Sequence, residues 1–318
     1  MSRLPPDVDT RPTDEPQAST PAPTQDNSVR GGTLYVVATP IGNLGDLSPR
    51  ARDVLAGVDR IAAEDTRTTG VLLSHFGLRR PLVALHEHNE DRIAEQLIAA
   101  VLRGESLALV SDAGTPLVSD PGYALVRQAR AQGVTVQAVP GPCAVIAALS
   151  ISGLPTDRFC FAGFLPPKSN ARRARFTEFL HEPRTVVVYE SSHRIGDSLA
   201  DLVAVLGPER RICVARELTK RFEESHTASA AEVLAWHAAD THRSLGEFVI
   251  VIEGAAAASD DVNAERVLRL LLAELSPSRA ARVAADITGA SRKQLYEVAL
   301  RLGSATQRND ENEDNSEP

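Results

Sequence analysis

Several things that commonly define a protein's chemistry are scarce in this chain. Aromatic residues make up 4% of its 318 residues, with one Trp and one Met, so any core must be built from Leu, Val, Ile and Ala. Three cysteines, Cys143, Cys160 and Cys213, are odd in number and far apart. No pair has metal-ligand spacing, and the set reads as reduced thiols rather than as a disulfide framework. No apolar run reaches the roughly 20 residues that span a bilayer, and the N-terminus carries no apolar stretch of the signal-peptide kind. These absences predict a soluble, cytoplasmic protein that does not work in a membrane. The formal net charge is −8, but it is concentrated in residues 1–30 and 304–318, and the body between them is close to neutral. Net charge therefore neither favours nor excludes a polyanionic partner, which needs clustered bases rather than a surplus.

What is present is a series of shaped loops at the ends of strand-like runs. Ser111-Asp112-Ala113-Gly114-Thr115-Pro116-Leu117-Val118-Ser119-Asp120-Pro121-Gly122 follows the apolar run Leu107–Val110. A turn capped by Asp and Ser is the plainer reading. So many conformationally special residues in succession favour a ligand loop at the carboxyl end of an α/β strand. Leu34–Ala38 runs likewise into Thr39-Pro40-Ile41-Gly42-Asn43, and Ser48-Pro49 then starts a helix with a cap and a first-turn proline. The glycine spacing is not the dinucleotide fingerprint and no P-loop lysine is present, which points to a different cofactor. A third such turn, Pro140-Gly141-Pro142-Cys143-Ala144, follows Val134–Val139. Strands alternating with helices predict an α/β fold with a mainly parallel sheet.

Polar strand ends add acids and bases: Glu64-Asp65-Thr66-Arg67, Glu190 through Arg194, and Arg216-Glu217-Leu218-Thr219-Lys220-Arg221. The two in the second half, with the run Gly246–Gly254 that closes it, suggest a shared cleft. His86-Glu87-His88 invites a metal reading, but alternate strand positions face opposite sides and no third ligand is evident, so no metal is expected. From Arg158 to Thr177 there are five basic residues and no acid. Lys168, Arg172, Arg173 and Arg175 beside a Pro-Pro break favour a phosphate-contacting loop over a solvated helix start. The chain divides into a disordered tail (1–30), an N-terminal α/β domain (31–152), a C-terminal α/β domain (153–255), a helical module (262–303) and a disordered acidic tail (304–318). The module reads as three short basic helices broken at Ser276-Pro277 and Gly289-Ala290-Ser291, a helix-turn-helix-like pattern.

Val36–Leu44, Glu64–Arg67, Ser111–Gly122, Val139–Pro142, Tyr189-Glu190-Ser191 with His193-Arg194, and Ala215–Lys220 occur together and in order. In this set the chain resembles the bacterial small-subunit rRNA ribose 2′-O-methyltransferase I family, a branch of the tetrapyrrole methylase superfamily, over roughly residues 31–303. The resemblance implies a two-domain tetrapyrrole-methylase-like fold, that of a class III S-adenosylmethionine (SAM) methyltransferase, with a small C-terminal HTH-like module. It implies SAM as methyl donor in the cleft between the domains, and no metal. The acceptor it implies is a decoding-centre cytidine of 16S rRNA in the 30S subunit, and the protein a homodimer. Carried onto this chain, the donor positions are Ile41, Gly42, Asp112, Gly114, Thr115, Val118, Pro140, Gly141, Cys143 and Ala144, with Glu190, Ala215 and Gly246 from the second domain. A ribose hydroxyl is a weak nucleophile at neutral pH, so a base or an oxyanion-stabilising cation is needed. Among Glu64, Asp65, Glu190, Glu217, His193 and Lys220, the expectation is Glu217 as base or orienter, with Lys220 and Arg216 placing oxyanion or phosphate and Glu190 as a further catalytic candidate. Lys168, Arg172, Arg173, Arg175, Arg194 and Arg216 are expected to hold RNA. The rival expectations are a SAM-dependent tetrapyrrole (corrin/porphyrin) C-methyltransferase and a non-catalytic ribosome-binding module.

Overall fold

The computed structural model describes residues 28–86, 88–255 and 260–313, with side chains over 28–86, 88–255 and 264–302. Residues 1–27 of the expected 1–30 tail, Glu87, residues 256–259 and the last five residues lie outside the described residues.

The first half builds a five-stranded sheet in the order β3-β2-β4-β1-β5. Its strands are β1 (Thr33–Val37), β2 (Arg60–Ala63), β3 (Leu82–Ala84), β4 (Leu107–Val110) and β5 (Thr135–Val139). Every pairing is parallel. The two-residue strand period divides the apolar side chains between two faces. Tyr35, Val37, Ile61, Ala108 and Val110 pack with α1 (Pro49–Gly57) and α2 (Thr66–His75). Leu34, Ala62, Leu107 and Leu109 pack with α3 (Glu90–Leu102) and α4 (Tyr123–Ala131). The predicted cap is in place, with Ser48 Oγ accepting from the Ala51 amide at 3.0 Å. Strands β1 and β4 are neighbours, yet β1 connects across β4 to β2 and β4 connects across β1 to β5. Their connections leave on opposite faces of the sheet, and the crevice at such a switch point is where open α/β sheets bind ligands.

The second sheet departs from expectation. Its order is β6-β7-β10-β8-β9, from β6 (Phe159–Phe164), β7 (Thr185–Ser191), β8 (Arg211–Arg216), β9 (Glu224–Ser229) and β10 (Glu247–Ile252). Only β6–β7 is parallel; the other three pairings are antiparallel. Its outer face is covered by α6 (Ser169–Glu178), α7 (Ile195–Leu206) and α8 (Ala230–Ala238). The inner face receives α5 (Ala144–Ser152), whose Val145, Ala148 and Leu149 pack with Val187, Cys213, Ala215, Val249 and Val251. Helix α5 was assigned by sequence to the first domain, but its apolar surface belongs to the second sheet.

The C-terminal module consists of α9 (Asp260–Leu272), α10 (Pro277–Thr288) and α11 (Arg292–Glu313). Its core is Ala264, Leu268, Ala280, Ala281, Ala284, Leu295 and Ala299, and alanine-rich contact lets short helices approach closely. The breaks fall where Ser276 and Gly289 place them, with Gly289 at φ +76° closing α10. Helix α11 runs ten residues past the expected end at Gly303, because nothing between Ser304 and Glu313 is a proline or a second glycine.

Candidate active site

Loops from both sheets meet around a cleft of about 480 Å³. Thr39 and Gly114 knit the β1 and β4 loops together through two backbone hydrogen bonds, 2.9 and 3.1 Å. Gly114 sits at φ +82°, with Ile41 Cγ2 3.2 Å from where a Cβ would stand. Thr115 donates its hydroxyl to the Pro142 carbonyl at 2.9 Å, which ties the third turn to the second. Backbone strain is concentrated here. The non-glycine residues with left-handed φ among the described residues are Leu117 (71°), Ser119 (70°), Glu217 (52°) and Thr219 (66°). Two lie in the β4 loop and two in the β8–β9 loop. Such conformations cost on the order of 1–2 kcal/mol each for L-residues, and they are retained where shape serves a site.

Of the positions expected to hold the donor, Ile41, Asp112, Gly114, Thr115, Val118, Cys143, Ala144, Glu190 and Gly246 line this cleft. Gly42, Pro140, Gly141 and Ala215 do not. Ala215 is fully buried between α5 and β10. Gly141 is a close-approach position, its missing Cβ only 3.0 Å from the Ala38 Cβ. Gly42 carries the Lys220 side chain across its bare backbone, with Lys220 Cγ 2.4 Å from the missing Cβ. The cleft also gains Glu64, Ser119, Asp120, Phe164, Tyr189, Leu218, Glu247 and Val249.

Two groups of charges face each other across it. On the first domain, the Asp112 amide donates to Glu64 (3.2 Å) and Asp112 Oδ1 accepts from the Asp65 amide (3.0 Å). Partial burial raises the Asp112 carboxyl. Asp120 is pushed up to about 6, chiefly by burial and further by Glu64 and Asp112, against a lowering hydrogen bond from Ser111. On the second domain, Lys220 Nζ bridges Glu217 Oε1 (2.8 Å) and Glu247 Oε2 (2.7 Å). Burial alone would raise Glu217, but Lys220, the Glu247 amide and Arg216 together hold it below its usual range. Burial opposes the Lys220 charge and is outweighed by the two carboxylates, so its value rises and it stays an ammonium. Glu217 thus holds Lys220 as an anion, which is the orienting half of its expected role as base or orienter.

Other expected roles are corrected by burial. The Glu190 side chain has no exposed surface. Its carboxylate accepts from the Ser191 amide (2.7 Å), Arg194 Nε (2.9 Å) and Ser198 Oγ (2.5 Å). It anchors the strand end, and Arg194 is its counter-ion rather than a free RNA contact. Arg172 is 2% exposed and is paired with Asp201, Nε at 2.8 Å and Nη2 at 2.7 Å, where Ser169 also donates. Arg216 is 8% exposed and donates to the Leu245 and Phe222 carbonyls. Neither guanidinium is available to RNA. The basic stretch itself is helix α6 from Ser169 onward rather than a loop; Lys168 and Arg173 remain exposed on it, and Arg175 pairs with Glu178. His86 and His88 follow β3 in a turn instead of continuing the strand, so their rings come within 6.0 Å. Among the described residues no group of three or more His, Cys, Asp or Glu is arranged to hold a metal ion.

A mostly parallel sheet and a mixed sheet with one cleft between them define a tetrapyrrole-methylase architecture. The family model for Tetrapyrrole (Corrin/Porphyrin) Methylases matches residues 33–234, and an RsmI C-terminal HTH domain model matches residues 256–303. The solved methyltransferase CobJ superposes with a TM-score of 0.53 at 19% identity, covering 71% of this chain and 95% of that one, a likeness of fold alone. Two curated relatives are much nearer in sequence. Ribosomal RNA small subunit methyltransferase I of Xylella fastidiosa (strain Temecula1) is 57% identical over 83% of this chain and 98% of its own length. Its counterpart in Escherichia coli O157:H7 is 54% identical over 85% and 95%. The chain belongs to the ribosomal RNA small subunit methyltransferase I family.

Proposed function

We propose that this protein transfers the methyl group of S-adenosyl-L-methionine to the ribose 2′-hydroxyl of a decoding-centre cytidine in 16S rRNA, acting in the cytoplasm as a homodimer on the 30S subunit. The observation that carries the reading is the near full-length likeness to rRNA methyltransferases, C-terminal module included. A corrin or porphyrin methylase would share the cleft but has no need of that module.

The residues present fit the donor. Ile41, Val118, Leu218 and Val249 offer apolar surface for an adenine, the main chain at residues 113–115 offers polar groups at close range, and Glu64, Asp112 and Asp120 supply negative charge toward a cation. The donor, when bound, supplies an electrophilic methyl on a positively charged sulfur, and alignment is the protein's main contribution. Lys220 meets the oxygen as its proton leaves to solvent, and Glu217 and Glu247 together hold that lysine in place. The experiment is transfer of labelled methyl from SAM to unmodified small subunits, with the modified ribose mapped by mass spectrometry and uroporphyrinogen as competing acceptor. Label on uroporphyrinogen alone, or on no rRNA ribose, overturns the reading.

Two outcomes follow from the charges. Without a cationic ligand, Asp120 favours the folded state fully below its ordinary value of 3.8, and that contribution is lost as pH rises through about 6. A cation prefers the ionised carboxylate, so donor affinity should strengthen with pH through this window. At pH 5 it is expected to be about tenfold weaker than at pH 7. Calorimetry across pH 5–8 reads this, and Asp120→Asn should flatten the profile. Separately, joint replacement of Lys168 and Arg173 by Gln should lower the slope of log affinity for 30S subunits against log salt by roughly 1–2. Replacing Arg175, whose guanidinium is already paired with Glu178, by Gln should change that slope less.

A further inference from the structure

Phe164, the last residue of β6, is 58% exposed and lines the cleft. Strand alternation would turn it away from the cleft. Along β6, Phe161 packs with the inner, cleft-side cluster, while Cys160 and Ala162 pack with the outer, helix-covered one. Position 164 should therefore fall on the outer face, among the helices, where a phenylalanine ring would be buried. The β6–β7 register shifts between Phe161 and Phe164, and Gly163 at φ +70° makes the shift possible. A bulge of this kind re-aims a side chain. Here it returns Phe164 to the face of Phe161, and both rings meet Tyr189 edge-on, Phe164 at 5.3 Å and Phe161 at 4.8 Å between centroids. The Leu165 amide then donates to the Tyr189 carbonyl at 3.2 Å, which fixes the backbone just beyond the ring. Local geometry thus spends a buried position to hold an aromatic face toward the cleft.

We infer that Phe164 is a stacking platform for the unpaired nucleobase of the nucleotide whose ribose is methylated; this rests on the function proposed above. A ribose 2′-hydroxyl lies on the open minor-groove side of an RNA strand, but carrying it down between two walls of a cleft draws its nucleotide, base included, away from the neighbouring stack. The base is attached one carbon from the reacting position, so it is carried to the mouth of the cleft. A flat ring held edge-on by Tyr189 presents its face there, and base–aromatic stacking is tolerant of base identity. Exposed Lys168 and Arg173 begin four residues further on, at the start of α6, where the flanking phosphates would run.

The test compares full-length wild type with Phe164→Ala, Phe164→Leu and Phe164→Trp. The readouts are SAM affinity by calorimetry, thermal unfolding, size-exclusion behaviour, and kcat/KM for small subunits. Ala and Leu should each lower kcat/KM about 10- to 100-fold, with donor affinity, unfolding and assembly state unchanged, and Trp should restore most of the loss. Full activity in the Ala variant, or Leu performing as well as Trp, would overturn the inference. So would a matching loss of SAM affinity, which would place the ring in the donor site, or dissociation of the Ala variant, which would place it between subunits. Wild-type protein that binds SAM yet methylates no small subunit would instead bring down the functional reading and this inference with it.

Discussion

Lys220→Met is expected to slow methyl transfer by about 10²- to 10³-fold, with SAM affinity changed little. The size follows from what the ammonium does. It is a fixed positive charge in a partly enclosed cleft, already oriented by Glu217 and Glu247, and preorganised groups aimed at developing negative charge are worth about this much when removed singly. Methionine keeps the length and apolar stem that lie over Gly42, so the loss reports on charge rather than on packing. Gly42→Ala provides an independent approach. A Cβ there would stand 2.4 Å from Lys220 Cγ, so the lysine must move off its carboxylates although its own identity is unchanged. Single-turnover rates with saturating donor read both variants. A Lys220→Met enzyme within fivefold of wild type would remove the lysine from the reaction.

Arg172→Ala is expected to destabilise the protein by about 3–5 kcal/mol, because it leaves the Asp201 carboxylate buried without its partner. The Arg172 side chain is 3% exposed and the Asp201 side chain 11%, so water cannot replace the guanidinium. Arg173→Ala, one position along on the solvent side of α6, should fall within about 0.5 kcal/mol of wild type. Replacing both members of the pair, Arg172→Met with Asp201→Leu, should recover most of the loss, since two apolar side chains need no counter-ion. Urea unfolding followed by circular dichroism measures all three. Equal stability of the Arg172→Ala and Arg173→Ala variants would show that the pair contributes nothing.

That contrast also marks where sequence reading stops. Arg172 and Arg173 are neighbours of one type in one basic run, and only the fold brings Asp201, 29 residues on, to the first of them. Arg216 is similar: its partners are main-chain carbonyls at Phe222 and Leu245, which no residue pattern announces. The parallel first sheet was legible because apolar runs, glycine loops and capped helices repeat in sequence, as Leu34–Ser48 and Leu107–Gly122 do. The antiparallel pairings of the second sheet have little signal in sequence, because β9, Glu224-Ser-His-Thr-Ala-Ser229, is an edge strand with almost no apolar residues. On the cleft wall Gly114 was legible from residue type, whereas Gly42, Pro140 and Gly141, marked in the same way, lie off it. Asp120, Glu247 and Phe164 were not legible. The enclosure around Asp120, the lysine that Glu247 meets and the bulge that turns Phe164 all come from packing between distant segments.

Helix α5 leaves its mark on how the cleft operates. Ala-Val-Ile-Ala-Ala-Leu-Ser-Ile-Ser emerges directly from the third cleft turn and is apolar around nearly its whole circumference, yet it is glued to the opposite sheet. Because α5 grows straight out of the Pro140–Ala144 turn while its apolar side is packed on the second sheet, any shift of that sheet would carry Cys143 and Ala144 with it.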